Sequence, residues 1–175
     1  LPTIFPYSLE SLGERISFLK SYGAAPAGEF SATASTVVPT QNMAYYFPFV
    51  LSIPILVKML WCYNGIPVAG NVDVGIYDNK GTKIISSTST LQAGASVVQS
   101  FDIVDTMIGA GEFYLALASD SATATFFAHV PTSTVHFALG ALQQATAFPL
   151  PATATFASWT QTNLPMFGLT QRTFI

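Results

Sequence analysis

Charge is what this sequence has least of. Asp, Glu, Lys and Arg make up 9% of its 175 residues, against about a quarter in an average domain, and no Lys or Arg lies between Lys83 and Arg172. Nucleic-acid binding depends on basic groups displacing counterions from phosphates, so the composition argues against nucleic acid as a partner. An anionic membrane surface is disfavoured on the same ground. Cysteine is almost absent too: Cys62 is alone in the apolar run "VKMLWCYNG", has no intrachain partner for a disulfide, and reads as a buried thiol. A catalytic thiolate would need a base or a positive environment, which the neighbouring residues do not supply.

Long uninterrupted apolar segments are missing as well. The nearest, "YYFPFVLSIPILVKMLWCY" at 45–63, is broken by Pro48 and Pro54 and contains Lys58, so it falls short of the about 20 apolar residues that a spanning helix needs. The first residues, "LPTIFPYSLESLGERISFLKSYG", lack a basic start followed by a continuous apolar stretch, and they are not expected to act as a signal peptide.

What the chain has is apolar residues, 50% of the total, and hydroxyl and amide side chains around them. A chain of this length can bury about two thirds of its surface in one core. A surface so poor in charge lacks the repulsion that keeps molecules apart, and it is expected to be completed by other subunits.

Residues 9–22 carry Leu9, Leu12, Ile16 and Leu19 at helical spacing, with Ser8 placed to cap and Gly23 to stop. The stretch "GAAPAGEFSATASTVVPTQ" after this short helix reads as an extended docking arm. Residues 1–41 are therefore expected to form helix and arm, and 42–175 a β-sandwich domain. From Asn42 onward, short apolar runs alternate with turn residues, which is an all-β pattern.

"AYYFPFVL" and "ILVKMLWCY" read as consecutive strands. "GNVDVGIYDNKGTKIIS" at 70–86 reads as a hairpin: Val72, Val74 and Ile76 point to the core, Asp73, Gly75 and Tyr77 point away, and "DNKG" makes the turn. "SVVQSFDIV" and "EFYLALAS" are joined through "DTMIGAG". "ATATFFAHV" at 122–130 and "ATATFASW" at 152–159 read as two further strands. "STVHFALGALQQ" is open between a short helix and an irregular crossing. Seven to nine short strands are predicted, in a jelly-roll-like sandwich.

Catalytic signals are weak. His129 and His136 are the two histidines, no G-x-S-x-G turn occurs, and their spacing matches no metal-ligand pattern. Asp102 and Asp105 read as solvated turn carboxylates and not as a calcium loop. Asp73, Asp102, Glu112 and Asp120 could converge to cleave a glycoside, but nothing in their spacing favours it. No cofactor or metal site is expected. The aromatics Trp61, Tyr63, Tyr77, Tyr114 and Trp159 suit either packing at a core or subunit interface, or stacking against sugars.

Four phrases taken together, "MLWCYNGIPVAGNVDVGIYDNKGTKIISST", "GEFYLALAS", "PLPATATFA" and "LPMFGLTQR", resemble a group of tailed-phage virion proteins. These share an aromatic strand, a "GN-x-DVGIYD-x-x-G" hairpin, a "YYLAL"-like strand and a late "LP-x-FG" segment. The resemblance covers residues 45–172, and its most specific part is the hairpin. It implies a non-enzymatic structural protein located on the virion, at the capsid surface or the tail. The first expectation is a capsid decoration or cement protein, a homo-oligomer and specifically a trimer, bound to the major capsid protein or other virion proteins. The alternative is a tail-associated or fibre module that binds host-surface glycans. The interface candidates are Leu12, Ile16 and Leu19 on the helix, and Trp61, Tyr63, Tyr114 and Trp159 on the body.

Overall fold

The computed structural model describes residues 32–37, 39–129 and 133–171. The expected helix at 9–22, and with it Leu12, Ile16 and Leu19, lies outside the described residues. Within them the chain is all-β, as the alternation predicted: β1 (Ala32–Val37), β2 (Ala44–Leu51), β3 (Ile55–Tyr63), β4 (Asn71–Asp78), β5 (Lys83–Ser86), β6 (Thr90–Leu91), β7 (Val98–Ile108), β8 (Gly111–Ser119), β9 (Phe126–His129), β10 (Leu142–Gln144), β11 (Ala157–Ser158), β12 (Leu164–Pro165) and β13 (Phe167–Gln171). A short helix, Ser133–Ala138, precedes β10.

One layer is a seven-stranded antiparallel sheet in the order β11-β10-β2-β8-β4-β5, with β6 also paired to β4. The other layer joins two small sheets, β13-β3-β7 and β1-β9-β12. Met166, between β12 and β13, stitches them: its N–H donates to the Phe127 carbonyl and its carbonyl accepts from Tyr63 N–H. The chain crosses between layers at β1 to β2, β2 to β3, β3 to β4, β6 to β7, β7 to β8, β8 to β9, β9 to β10 and β11 to β12, giving the jelly-roll-like winding. β1 comes from the stretch read as an arm, yet it pairs with β9 of its own chain.

Alternation builds the core. Tyr45, Phe47, Phe49 and Leu51 of β2, Val72, Val74 and Ile76 of β4, and Leu115 and Leu117 of β8 face Val57, Leu60 and Cys62 of β3, Phe101 of β7, and Phe167 and Leu169 of β13. Each such side chain contributes about 1.5–3 kcal/mol when fully buried. Pro48 lies within β2 opposite Tyr114, in the segment read as a strand. It is tolerated because β10 pairs only with Ala44, Tyr45 and Tyr46, so the missing N–H at Pro48 faces no partner strand.

Three expectations are corrected. The expected link "DTMIGAG" is mostly strand: β7 runs on to Ile108, β8 begins at Gly111, and the reversal takes only two residues. "ATATFFAHV" is strand only from Phe126, and "ATATFASW" only at Ala157–Ser158. Nor is the hairpin β4–β5 solvated on one side, because Asp73 and Tyr77 are 1% and 0% exposed.

The shortened strand in "ATATFASW" and the buried face of the hairpin have one cause. Residues 145–156 cross the outer face of the large sheet as a strap, burying Ala44, Tyr46, Tyr77, Ala116 and Ala118 against Ala147 and Leu150. The strap makes scattered hydrogen bonds in place of a ladder. Tyr77 Oη donates to the Pro151 carbonyl (2.6 Å), Thr155 N–H donates to Gln144 Oε1 (2.7 Å), and Ala154 N–H donates to the Gly81 carbonyl (2.7 Å). At Leu150 the N–H donates to Asp73 Oδ2 (3.1 Å), and the carbonyl accepts from Lys83 Nζ (2.7 Å). A Cβ on Gly75 would lie 2.9 Å from Leu150 Cδ1 and 3.1 Å from the Ile85 carbonyl oxygen, so this position is glycine to admit the strap.

Candidate docking face

The outer surface of the β13-β3-β7 sheet is built differently. Opposite the core residues of β3 stand Leu56, Lys58, Met59, Trp61 and Tyr63, all half-buried. A register shift between Val57 and Met59 places Lys58 within 3.7 Å of Asp105 on β7. Both side chains are over 40% exposed, so the pair is worth at most about 1 kcal/mol.

Across the strands, Trp61 stands opposite Gly168 on β13 and Ser100 on β7, while Met59 stands opposite Thr170 and Asp102. The indole N–H donates to the Leu169 carbonyl at 3.3 Å, which leans the ring across β13 beside Gly168. Tyr63, opposite Val98, stacks on Phe127 of β9 with ring centroids 4.0 Å apart and planes 22° from parallel. Val98 and Met107, at the two ends of β7, are 53% and 60% exposed. The outer face of a sandwich sheet is ordinarily polar, and here it is largely apolar and aromatic.

The four described interface candidates therefore separate. Trp61 and Tyr63 share this face. Tyr114 lies on the opposite layer, its ring 4.7 Å from Phe156 of the strap. Trp159 is 4% exposed and packs inside, with its ring 5.4 Å from Tyr45 and 5.4 Å from His136. Sequence reasoning missed Met59, Val98, Met107 and Phe127 as members of the face. The alternation in "ILVKMLWCY" and "VVQSFDIV" divides each strand into two sides, but it carries no signal of which side stays open.

No protein-family model matches the chain, and no curated protein matches it. Two solved structures are similar over part of their length. A Streptococcus pneumoniae fucose binding module is 16% identical with a TM-score of 0.31, covering 45% of this chain and 55% of that one. The Streptococcus pneumoniae fucose binding module SpX-3 is 17% identical with a TM-score of 0.30, covering 49% of this chain and 61% of that one. The chain thus spans less than two thirds of the length of either.

The groups that could carry chemistry are dispersed. Asp73 is buried under the strap, accepting from Leu150 N–H and from Ser87 Oγ (3.4 Å). Burial raises its carboxyl above the usual Asp range, against the lowering effects of the Ser86 and Ser87 hydroxyls, the Leu150 N–H and the Lys83 charge. Asp120 is held by Asn71 through its backbone N–H (2.6 Å) and its side-chain amide (3.0 Å). Glu112 is at the far end of β8 from Asp120, and Asp102 is exposed on β7 in the other layer. The four do not converge. Asp102 and Asp105 are strand residues, not turn residues.

Asp78 anchors the hairpin turn, its Oδ1 accepting from Lys80 N–H (2.9 Å) and Thr82 N–H (2.7 Å). Those bonds, Thr82 first, hold its carboxyl below the usual range. The Cys62 thiol is buried, which pushes its pKa well up, and its Sγ lies 3.4 Å from Asn64 Oδ1. Among the described residues no group of three or more His, Cys, Asp or Glu is arranged to hold a metal ion, and no helix is long and apolar enough to cross a membrane.

Proposed function

We propose that this chain is a non-catalytic assembly protein of the virion, a decoration or cement piece that fixes itself to a shell of major capsid protein through the outer face of the β13-β3-β7 sheet. The observation that carries this reading is that face: Met59, Trp61, Tyr63, Val98 and Met107 expose apolar and aromatic surface where a sandwich normally presents polar residues. Its partner is apolar and weakly charged, since among the described residues the charges on this face are the Lys58–Asp105 pair and Asp102. At about 25 cal/mol per Å², an interface of ordinary size around such a face holds a subunit on a lattice without covalent links.

The test is particle binding. Trp61→Ser combined with Met107→Glu should abolish association with shells lacking the protein, and particles so treated should stay as sensitive to heat and osmotic shock as undecorated ones. Full binding by the double variant overturns the reading.

A second reading, a tail or fibre module that binds host glycans, is favoured by one observation. The Trp61 indole leans across the sheet beside Gly168, with Ser100, Thr170 and Asp102 around it, an arrangement suited to a sugar's apolar face and its hydroxyls. Glycan-array binding that disappears in Trp61→Ser, with labelling over the tail instead of the head, would select this reading over the first.

A further inference from the structure

A second apolar surface, meeting the docking face at Val98, lies at one end of the sandwich. The loop at 64–70 runs beside the segment at 91–98: Asn64 N–H donates to the Val97 carbonyl (3.0 Å), Ser96 N–H to the Gly65 carbonyl (3.2 Å) and Gln92 N–H to the Gly70 carbonyl (2.9 Å). Together they present Ile66, Leu91, Val97 and Val98, which are 57%, 65%, 47% and 53% exposed. Loop tips ordinarily carry polar residues, and here Ile66 and Val97 on the loops, with Leu91 at the end of β6 and Val98 at the start of β7, form a half-exposed aliphatic patch.

Buried amides fix that patch in shape. The Asn64 side chain, 0% exposed, donates to the Ala93 carbonyl (2.7 Å) and to Gln99 Oε1 (2.9 Å), and it accepts from Gln92 Nε2 (3.0 Å). Gln92 Nε2 also donates to the Thr125 carbonyl (3.0 Å), and Gln92 Oε1 accepts from Ala69 N–H (2.9 Å). Gln99 Nε2 closes the set on the Leu91 carbonyl (2.9 Å). A fully satisfied buried network of this kind holds loops rigid, so little ordering entropy is lost when they bind.

We infer that this tip is a self-contact, in which Ile66, Leu91, Val97 and Val98 pack against the same residues of a second copy around a symmetry axis. Charge decides the occupant. Near a rotation axis each side chain meets its own copies, and a charged residue there meets a like charge. Residues 59–72 and 84–101 contain no Asp, Glu, Lys or Arg at all. A lipid occupant fits less well, because irregular backbone is poorly accommodated in hydrocarbon and neither loop carries the Trp, Tyr, Lys or Arg that anchor proteins at membrane interfaces. A sugar would find no aromatic ring on the two loops.

The test is the association state of the full chain by sedimentation equilibrium. The wild type should be a dimer or trimer. Leu91→Glu and Val97→Glu should each weaken self-association about tenfold or more, because each copy brings one unpaired carboxylate to the contact. Val104→Glu, at a β7 position that is 79% exposed and outside the two loops, should leave the assembly intact. Thermal melts followed by circular dichroism should show all three variants folded.

A wild type that stays monomeric at high micromolar concentration, or a Leu91→Glu variant that assembles normally, overturns the inference. So does flotation of the wild type with neutral phosphatidylcholine vesicles that Leu91→Glu abolishes. The two surfaces meet at Val98, but the inference and the particle reading fail separately. A monomeric wild type that still binds shells removes the self-contact alone, whereas an oligomer broken by Leu91→Glu whose Trp61→Ser, Met107→Glu variant still binds shells removes the docking face alone.

Discussion

The two layers of this sandwich treat their outer faces in opposite ways. On the seven-stranded layer the chain covers its own sheet with the strap at 145–156, and the residues beneath are Ala44, Ala116 and Ala118 with two tyrosines whose hydroxyls are bonded to Gln144 and Pro151. On the β13-β3-β7 sheet the outer residues are larger and softer, Met59, Trp61, Tyr63 and Met107, and they remain partly open to solvent. Small side chains let a covering segment approach closely. Flexible Met and flat aromatic side chains suit a surface that meets a partner. The contrast teaches that hydrophobic content alone does not mark a docking face: both outer faces are apolar, and among the described residues only one is covered by its own chain.

Substitutions should split the same way. The largest effect is expected beneath the strap. Leu150→Ala removes a side chain that is 2% exposed and should cost about 2–5 kcal/mol in denaturant unfolding, with shell binding per folded molecule unchanged. Trp61→Ser should do the reverse, changing stability by no more than about 1 kcal/mol while greatly weakening binding. Equal stability losses from the two would erase the distinction between the faces.

Gly75→Ala comes next. Its methyl group meets Leu150 Cδ1 and the Ile85 carbonyl, and overpacking of that sort costs about 1–3 kcal/mol. Hydrogen exchange should quicken first at Leu150 and Ala154, whose N–H groups hold the strap down.

Smaller effects follow from the two carboxylates of the hairpin, and they have opposite sign. Burial raises the Asp73 carboxyl, so the folded protein holds that proton more tightly than the unfolded chain. Its contribution is fully present below the ordinary Asp value of about 3.9 and is lost as pH rises through the raised value. Asp78 is held low by the Thr82 and Lys80 N–H groups, so its contribution is present above about pH 3.9 and is lost as pH falls through the lowered value. Urea midpoints measured from acid to neutral pH should show Asp73→Asn removing the first slope and Asp78→Asn the second. Identical profiles for the two variants would contradict the assignment.

Much of the fold was legible because β-branched and aromatic runs ended at real turns. "AYYFPFVL" and "ILVKMLWCY" coincide with β2 and β3, and "DNKG" is the β4–β5 turn, where Gly81 takes a φ of 86°. The strap was not legible. "PLPATATF" alternates like a strand, yet its carbonyls and N–H groups go to Lys83, Tyr77 and Gly81, far away in sequence, and to the side chain of Gln144. Asp73 looked solvent-facing for the same reason, since alternation separates two sides of a strand and is blind to what later covers them. Of the candidate site, Trp61 and Tyr63 could be read together from their i, i+2 spacing. Trp159 could not be told from them, because its burial depends on Tyr45 and His136.

The docking face can be tested without any substitution, by hydroxyl-radical footprinting of the protein free and after addition to shells, with Met166, which is 4% exposed, as the internal standard. Met59, Trp61 and Met107 should lose most of their reactivity in the bound state while Met166 stays constant. Unchanged reactivity at all three, on particles that demonstrably carry the protein, would mean that this sheet faces solvent in the assembly and that some other surface does the docking.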